Sequence, residues 1–301
     1  MRMAKKALRD TGEAYLYLLP AFLILGAFTI YPIVYALYLS FHDWPLIETA
    51  RRPREFIGVE NYLRLLASPR FLGSLQNVTI YAIFSVPLSI SLAVGLAVLL
   101  NMQLRGQAFF RLAFFIPFAT PAVADALIWR WLLDERFGLV NYLLSVIAIS
   151  PIGWLTTPAL AILVLVMLNS WQTMGFQALI LLAGLQGIDK HYYEAAKIDG
   201  ASAWIQFRHI TVPLLTPQIF FLSVTSAIAA LGLFTPIFVL WMGSPGPVAS
   251  ALTPVFFIFE TAFQRQRMGL ATAASYILFV IIMVLTLLQF VAAKKRVHYD
   301  Q

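Results

Sequence analysis

The sequence predicts an all-α membrane protein with six transmembrane helices. Three observations predict it. Hydrophobic residues make up 60% of the 301 and charged residues only 12%, about half the charged share of an ordinary soluble domain. Mean hydropathy is +0.81. Charge-free windows recur along the chain at lengths a bilayer demands, since roughly 20 helical residues cross its hydrocarbon core.

The windows give the spans in order. Residues 14–41 carry no charge, and the first span is placed at 15–41. The second falls at 74–100, within a free window of 71–104. The third, 109–133, is interrupted by Asp125 and Arg130. Pro151, Gly153 and Pro158 divide the next long window and leave 159–185 as the fourth span. The turn Gly243, Ser244, Pro245, Gly246, Pro247 closes the fifth, 217–242. The last lies at 269–293. Backbone groups in lipid must be satisfied within the segment, which favours helices, and the runs are too long and unalternating for barrel strands. The first apolar run is too long for a signal-peptide core and is read as a retained helix. The whole chain, 1–301, is read as one transmembrane domain with no internal repeat.

Topology follows from Lys and Arg. With the N-terminus cytoplasmic, cytoplasmic segments hold Arg2, Lys5, Lys6, Arg9, Arg105, Arg111, Lys190, Lys197, Arg208, Lys294, Lys295 and Arg296. The outer segments hold Arg51, Arg52, Arg54, Arg64, Arg70, Arg130, Arg136, Arg265 and Arg267. The basic residues abutting the first and last spans carry most weight and place both termini in the cytoplasm. The net charge of +7 is explained by topology and anionic lipid, so no nucleic acid is implied. The chain has no cysteine, and its histidines at 42, 191, 209 and 298 lack metal-ligand spacing. No G-x-x-x-x-G-K-[ST] string is present to cradle phosphates. The outer stretch 43–70 is mixed in charge and has room for short surface helices.

The loop 187–213 has its own local chemistry. Asp189 is a fair helix N-cap, Gly200 sits where a helix can end with positive φ, and Ser202 can cap a second helix. Trp204 and Phe207 share a face of that second helix, which Pro213 and Pro217 are expected to stop. A helix–turn–helix with small alanines on one side suits insertion into a partner's groove, and an ordinary solvated hairpin has the same spacing.

Polar residues within spans supply a second set of candidates. Asn169, Gln172 and Thr173 fall on one face of the fourth span, with Trp171 and Gln177 beside them. They suit a solute path, with Trp171 as a stacking surface, and they suit helix–helix hydrogen bonding equally. Asp125 is the carboxylate well inside a span; it lines the path or pairs locally, with Arg130 the nearest partner.

Tyr193, Glu194, Ala195, Ala196, Asp199 and Gly200, with Phe207, Ile210 and Pro213, resemble the EAA loop of binding-protein-dependent ABC transporter permeases. The fuller pattern resembles the sugar-permease branch, of maltose, trehalose and glycerol-phosphate type. Phe56 to Tyr62, Ile128 to Leu132 with Gly138 to Tyr142, and Val297 to Tyr299 agree with it. The Gly243–Pro247 turn departs from the family's usual Gly-Gly-Pro.

The resemblance implies a type I importer permease fold and a non-catalytic subunit in the cytoplasmic (inner) membrane of a prokaryote. It implies that residues 187–213 form a coupling helix docking on a cytoplasmic ATPase, with Glu194 pairing to a basic residue there. The implied partners are a second homologous permease, two ATPase subunits that use ATP and Mg, and an extracytoplasmic solute-binding protein. The solute is expected to be a carbohydrate; glycerol-3-phosphate or another polyol ester is the alternative, and Arg130 the nearest cation for it. An ion-driven secondary transporter would show repeated halves and paired broken helices, and a membrane enzyme clustered His, Asp or Glu. The sequence shows neither.

Overall fold

The computed structural model describes residues 15, 17–47, 49, 53–102 and 106–293. The flanking charges Arg2, Lys5, Lys6, Arg9, Lys294, Lys295 and Arg296, the loop residues Arg51, Arg52 and Arg105, and Val297 to Tyr299 lie outside the described residues. Among the described residues, four helices are long and apolar enough to cross a membrane, or up to six if each of two bent pairs is one span. The helices fall into two compact units.

One unit holds the chain up to Ala67 together with Ile258–Ile277. Helix α1, Tyr17–Ser40, includes a π-helical stretch at Gly26–Ile30. A two-residue hairpin follows, β1 His42–Asp43 paired antiparallel with β2 Glu55–Phe56. Helix α2, Glu60–Leu66, is the short helix expected in the outer loop. Its Asn61 is buried, and the amide donates to the Ser40 and His42 carbonyls at 2.9 Å each, so the end of α1 is held through backbone acceptors.

The other unit holds Ser68–Phe257 and Leu278–Gln301. Helix α3, Pro69–Asn101, is capped by Ser68, whose hydroxyl accepts from the Phe71 amide. Next come α4, Gln107–Ala119, and α5, Ala122–Leu132. The expected third span, 109–133, thus divides into two helices that meet at 98°. The cause is local. A residue before proline is pushed out of the helical region, and Thr120, before Pro121, has φ −77° and ψ 141°.

Helix α6, Leu139–Val146, is a short amphipathic piece. Helix α7, Ala161–Gly187, is the fourth span. It packs along α3 through Ala93, Leu96 and Ala97 against Ala178, Leu181 and Leu182, all buried. It also packs on α4, where Gly175 is required: an added Cβ would overlap the Phe114 carbonyl oxygen. Beside that crossing Phe118 and Phe176 stack with centroids 4.2 Å apart.

Helices α8, Lys190–Ile198, and α9, Ala203–Leu214, form the loop between the fourth and fifth spans. Helix α10, Thr216–Leu231, begins the fifth span at a 63° bend from α9. The chain then unwinds through Gly232, Leu233 and Phe234 and resumes as α11, Thr235–Leu240. The expected span 217–242 is therefore a broken helix. Irregular backbone at membrane depth is tolerated where it lines a cavity or is buried in protein. Here the Thr253 hydroxyl donates to the freed Leu233 carbonyl at 2.7 Å. Helix α12, Pro254–Phe259, precedes α13, Met268–Ala293, the last span.

Candidate functional site

The loop 187–213 is built as its sequence suggests. Asp189 caps α8, its carboxylate accepting from the His191 amide at 2.9 Å. Asp199 ends the helix, donating its N–H to Ala195 O. Gly200 has φ +77°, a left-handed value that side chains with a Cβ resist. The Ala201 amide then reaches back to Ala196 O at 2.8 Å, the long-range bond of a left-handed helix end. Ser202 caps α9.

The second helix does not stop at Pro213. A π-helical turn over Phe207–Thr211 carries it through to Leu214. Proline has no N–H to return to the carbonyl four residues back. The wider turn spaces the bonds differently: the Val212 amide bonds Phe207 O. The bend falls at Leu215, and Pro217 lies in the first turn of α10.

Two side-chain bonds tie the hairpin together. The Tyr193 and Thr211 hydroxyl oxygens lie 3.0 Å apart. The Gln206 amide donates to Ala201 O at 2.8 Å. A cavity of about 330 Å³ lies beneath, lined by Tyr193, Gln206, Phe207 and Thr211 with Val98 and Leu185 from α3 and α7.

The outward side differs. Glu194 is exposed and touches its own helix through His191 Nδ1 at 3.3 Å. Ile198 is 87% exposed and Trp204 65%, the latter stacked on Phe207 with centroids 5.5 Å apart. Tyr192 and Ile205 are exposed as well. Together they make an apolar surface on a polar hairpin.

The candidate residues of α7 separate into four environments. Gln177 is buried and its amide donates to Ser89 of α3 at 3.4 Å and Ser226 of α10 at 3.1 Å. It holds three helices together, which is the helix–helix bonding weighed for it beside a solute path. Thr173 bonds its own helix at Asn169 O, 2.8 Å. Trp171 packs on Trp129 of α5, centroids 6.0 Å apart, so its ring already has an aromatic neighbour.

Asn169 and Gln172 line a second cavity, of about 210 Å³, at the break between α10 and α11. Tyr81 of α3 and the unwound Leu233 and Phe234 complete its wall. Tyr81 was missed from sequence because a lone tyrosine in an apolar run carries no period that marks it. Asp125 stands behind this wall. It is buried, and Gln172 Nε2 donates to its Oδ2 at 2.6 Å. The expected local pair with Arg130 is replaced by this bond to α7, because the elbow at Pro121 turns α5 so that Asp125 meets that helix. No Lys, Arg or His among the described residues lines the cavity, Arg130 included.

The family model described as binding-protein-dependent transport system inner membrane component matches residues 71–297. The trehalose/maltose transport system permease protein MalF of Thermococcus litoralis is 33% identical over 285 residues, 94% of each chain. The lactose transport system permease protein LacF of Rhizobium radiobacter is 36% identical over 289 residues, 94% of this chain and 95% of that one. A bacterial alginate ABC transporter, solved in complex with an alginate pentasaccharide-bound periplasmic protein, shares the fold. Its TM-score is 0.84 at 24% identity, over 98% of both chains.

Proposed function

The chain belongs to the family of binding-protein-dependent transport system inner membrane components, and on that basis we propose that it is the membrane-spanning subunit of an ATP-driven importer that carries a carbohydrate across the cytoplasmic membrane. The relatives named for trehalose, maltose and lactose transport support the solute class. The subunit is non-catalytic. ATP and Mg are used by two partner ATPase subunits, a second homologous permease completes the path, and a solute-binding protein delivers the sugar from outside.

The observation that carries the coupling role is the two-sided hairpin of α8 and α9. Its outer surface offers Glu194, Tyr192, Ile198 and Trp204 to a partner. Its inner surface is bonded to itself through Tyr193 and Thr211, at the foot of the fifth span. A hairpin that holds its shape passes a partner's displacement into α10 rather than absorbing it. Helix α10 ends at Gly232, where the cavity lies. ATPase closure would therefore act on the cavity wall through one continuous helix. Ala195, Ala196 and Gly200 provide the small, tightly turned surface for the docking cleft.

The test is Glu194→Lys in the assembled complex, measuring ATPase co-purification and sugar uptake by membrane vesicles. Uptake should fall at least roughly tenfold, as truncating or reversing one partner of a close charge pair does. Unchanged association and uptake would overturn the docking role.

A further inference from the structure

We infer that the cavity at the break in the fifth span selects uncharged saccharides and rejects acidic ones, with Asp125 positioning Gln172 and supplying the repelling charge. This rests on the carbohydrate reading above and narrows its solute class.

Asp125 is 1% exposed, and its Oδ1 has no hydrogen-bond partner among the described residues. Its Oδ2 accepts from Gln172 Nε2 at 2.6 Å, a close contact of the kind a charged acceptor favours. An ionised carboxylate only accepts, whereas an amide has a donor end and an acceptor end. The bond therefore fixes which end is which: the NH₂ of Gln172 is held by Asp125, and the carbonyl oxygen is left for the cavity that Gln172 lines. A sugar hydroxyl can donate to it. Asn169 and Thr235 add an amide and a hydroxyl, and the rings of Tyr81 and Phe234 add apolar wall. Few oriented polar groups among apolar ones suit a neutral polyhydroxyl ring.

The same carboxylate acts against anions. No cation among the described residues lines the cavity to offset it. Two like unit charges about 6 Å apart at an effective dielectric of about 20 repel enough to weaken binding about a hundredfold. A uronate, a sulfonated sugar or a phosphate ester would meet that repulsion, and salt screens buried charges little.

The experiment uses the complete transporter, with its partner subunits, in nanodiscs. The probes are maltose, trehalose and lactose, each paired with the uronic acid in which one hydroxymethyl group is a carboxylate. Binding is read by scintillation proximity for the wild type and Asp125→Asn. The wild type should bind at least one neutral sugar about a hundredfold more tightly than its acid, and Asp125→Asn should narrow that ratio at least roughly tenfold, chiefly by strengthening acid binding. A purely structural role for Asp125 would lower both affinities and leave the ratio alone. An unchanged ratio in the variant, or a wild type that binds acid and neutral sugar equally, overturns the inference and leaves the carbohydrate reading standing. If neither neutral nor acidic sugars bind a complex that still hydrolyses ATP, both fail. If the variant does not assemble, the wild-type ratio alone decides.

Discussion

Tyr193 and Thr211 join the two helices of the loop by their side chains, hydroxyl oxygen to hydroxyl oxygen at 3.0 Å, across eighteen residues of sequence. Thr211 is buried, so its hydroxyl has little access to water. The bond closes the hairpin at its base, where α9 approaches the fifth span.

Tyr193→Phe removes one hydroxyl and keeps the ring. It should cost about 1 kcal/mol in the local stability of the hairpin. Hydrogen exchange of residues 190–211 should accelerate roughly fivefold. Sugar moved per ATP hydrolysed should fall while the ATPase stays bound.

Gly200→Ala tests the turn. Nothing crowds an added Cβ there, so the penalty is conformational, about 1–2 kcal/mol for a left-handed residue. Asn tolerates that region better. Uptake should therefore rank wild type, then Gly200→Asn, then Gly200→Ala, with similar amounts of each in the membrane. Equal uptake for all three would show that the turn's shape is immaterial.

Gln177→Leu separates packing from solute contact. It removes the bonds to Ser89 and Ser226, and hydrogen bonds between membrane helices contribute about 1 kcal/mol each. The thermal midpoint of the detergent-solubilised protein should drop, and solute affinity should hold. Gln172→Leu should lower solute affinity, since Gln172 lines the cavity, and should lower the midpoint as well, since it strips buried Asp125 of its bond.

Local chemistry was legible along the loop: the caps Asp189 and Ser202 and the turn at Gly200 follow from residue type and are present. The long apolar spans were legible for the same reason, since length and hydropathy are properties of a window. What stayed hidden depends on residues distant in sequence. Asp125 finds Gln172 across 47 residues, and only the elbow at Pro121 makes that meeting. A proline in a span signals a bend, but residue type does not give its angle. The break at Gly232 to Phe234 was masked by unbroken hydropathy. Gly232 followed by Pro236 was the available signal. Asn141 was read only as part of a motif. It proves to be a buried knot, donating to the Ile152 carbonyl and accepting from the Ile152 amide and Trp154 Nε1.

Gly175→Ala probes the tightest crossing. The added methyl would overlap the Phe114 carbonyl oxygen, and backbone cannot yield as a side chain can. Overpacking of this kind costs about 1–3 kcal/mol or more. The variant should show a lower thermal midpoint in fluorescence-detected size-exclusion chromatography. Adding Phe118→Ala, which deletes the neighbouring ring, should leave that loss uncorrected, because the obstruction is main chain.

That crossing also decides where the permease can be compliant. With Gly175 seated against Phe114 and Phe118 stacked on Phe176, α4 and α7 form a beam that cannot shear without separating. Close-packed interfaces switch between discrete arrangements instead of deforming smoothly. Strain entering this part of the molecule must then be released at its joints, and Thr120 with Pro121 is the nearest. The 98° elbow is in this sense a lever's fulcrum. Torsion there would move α5 against the beam and load the bond that joins Asp125 to Gln172 of α7.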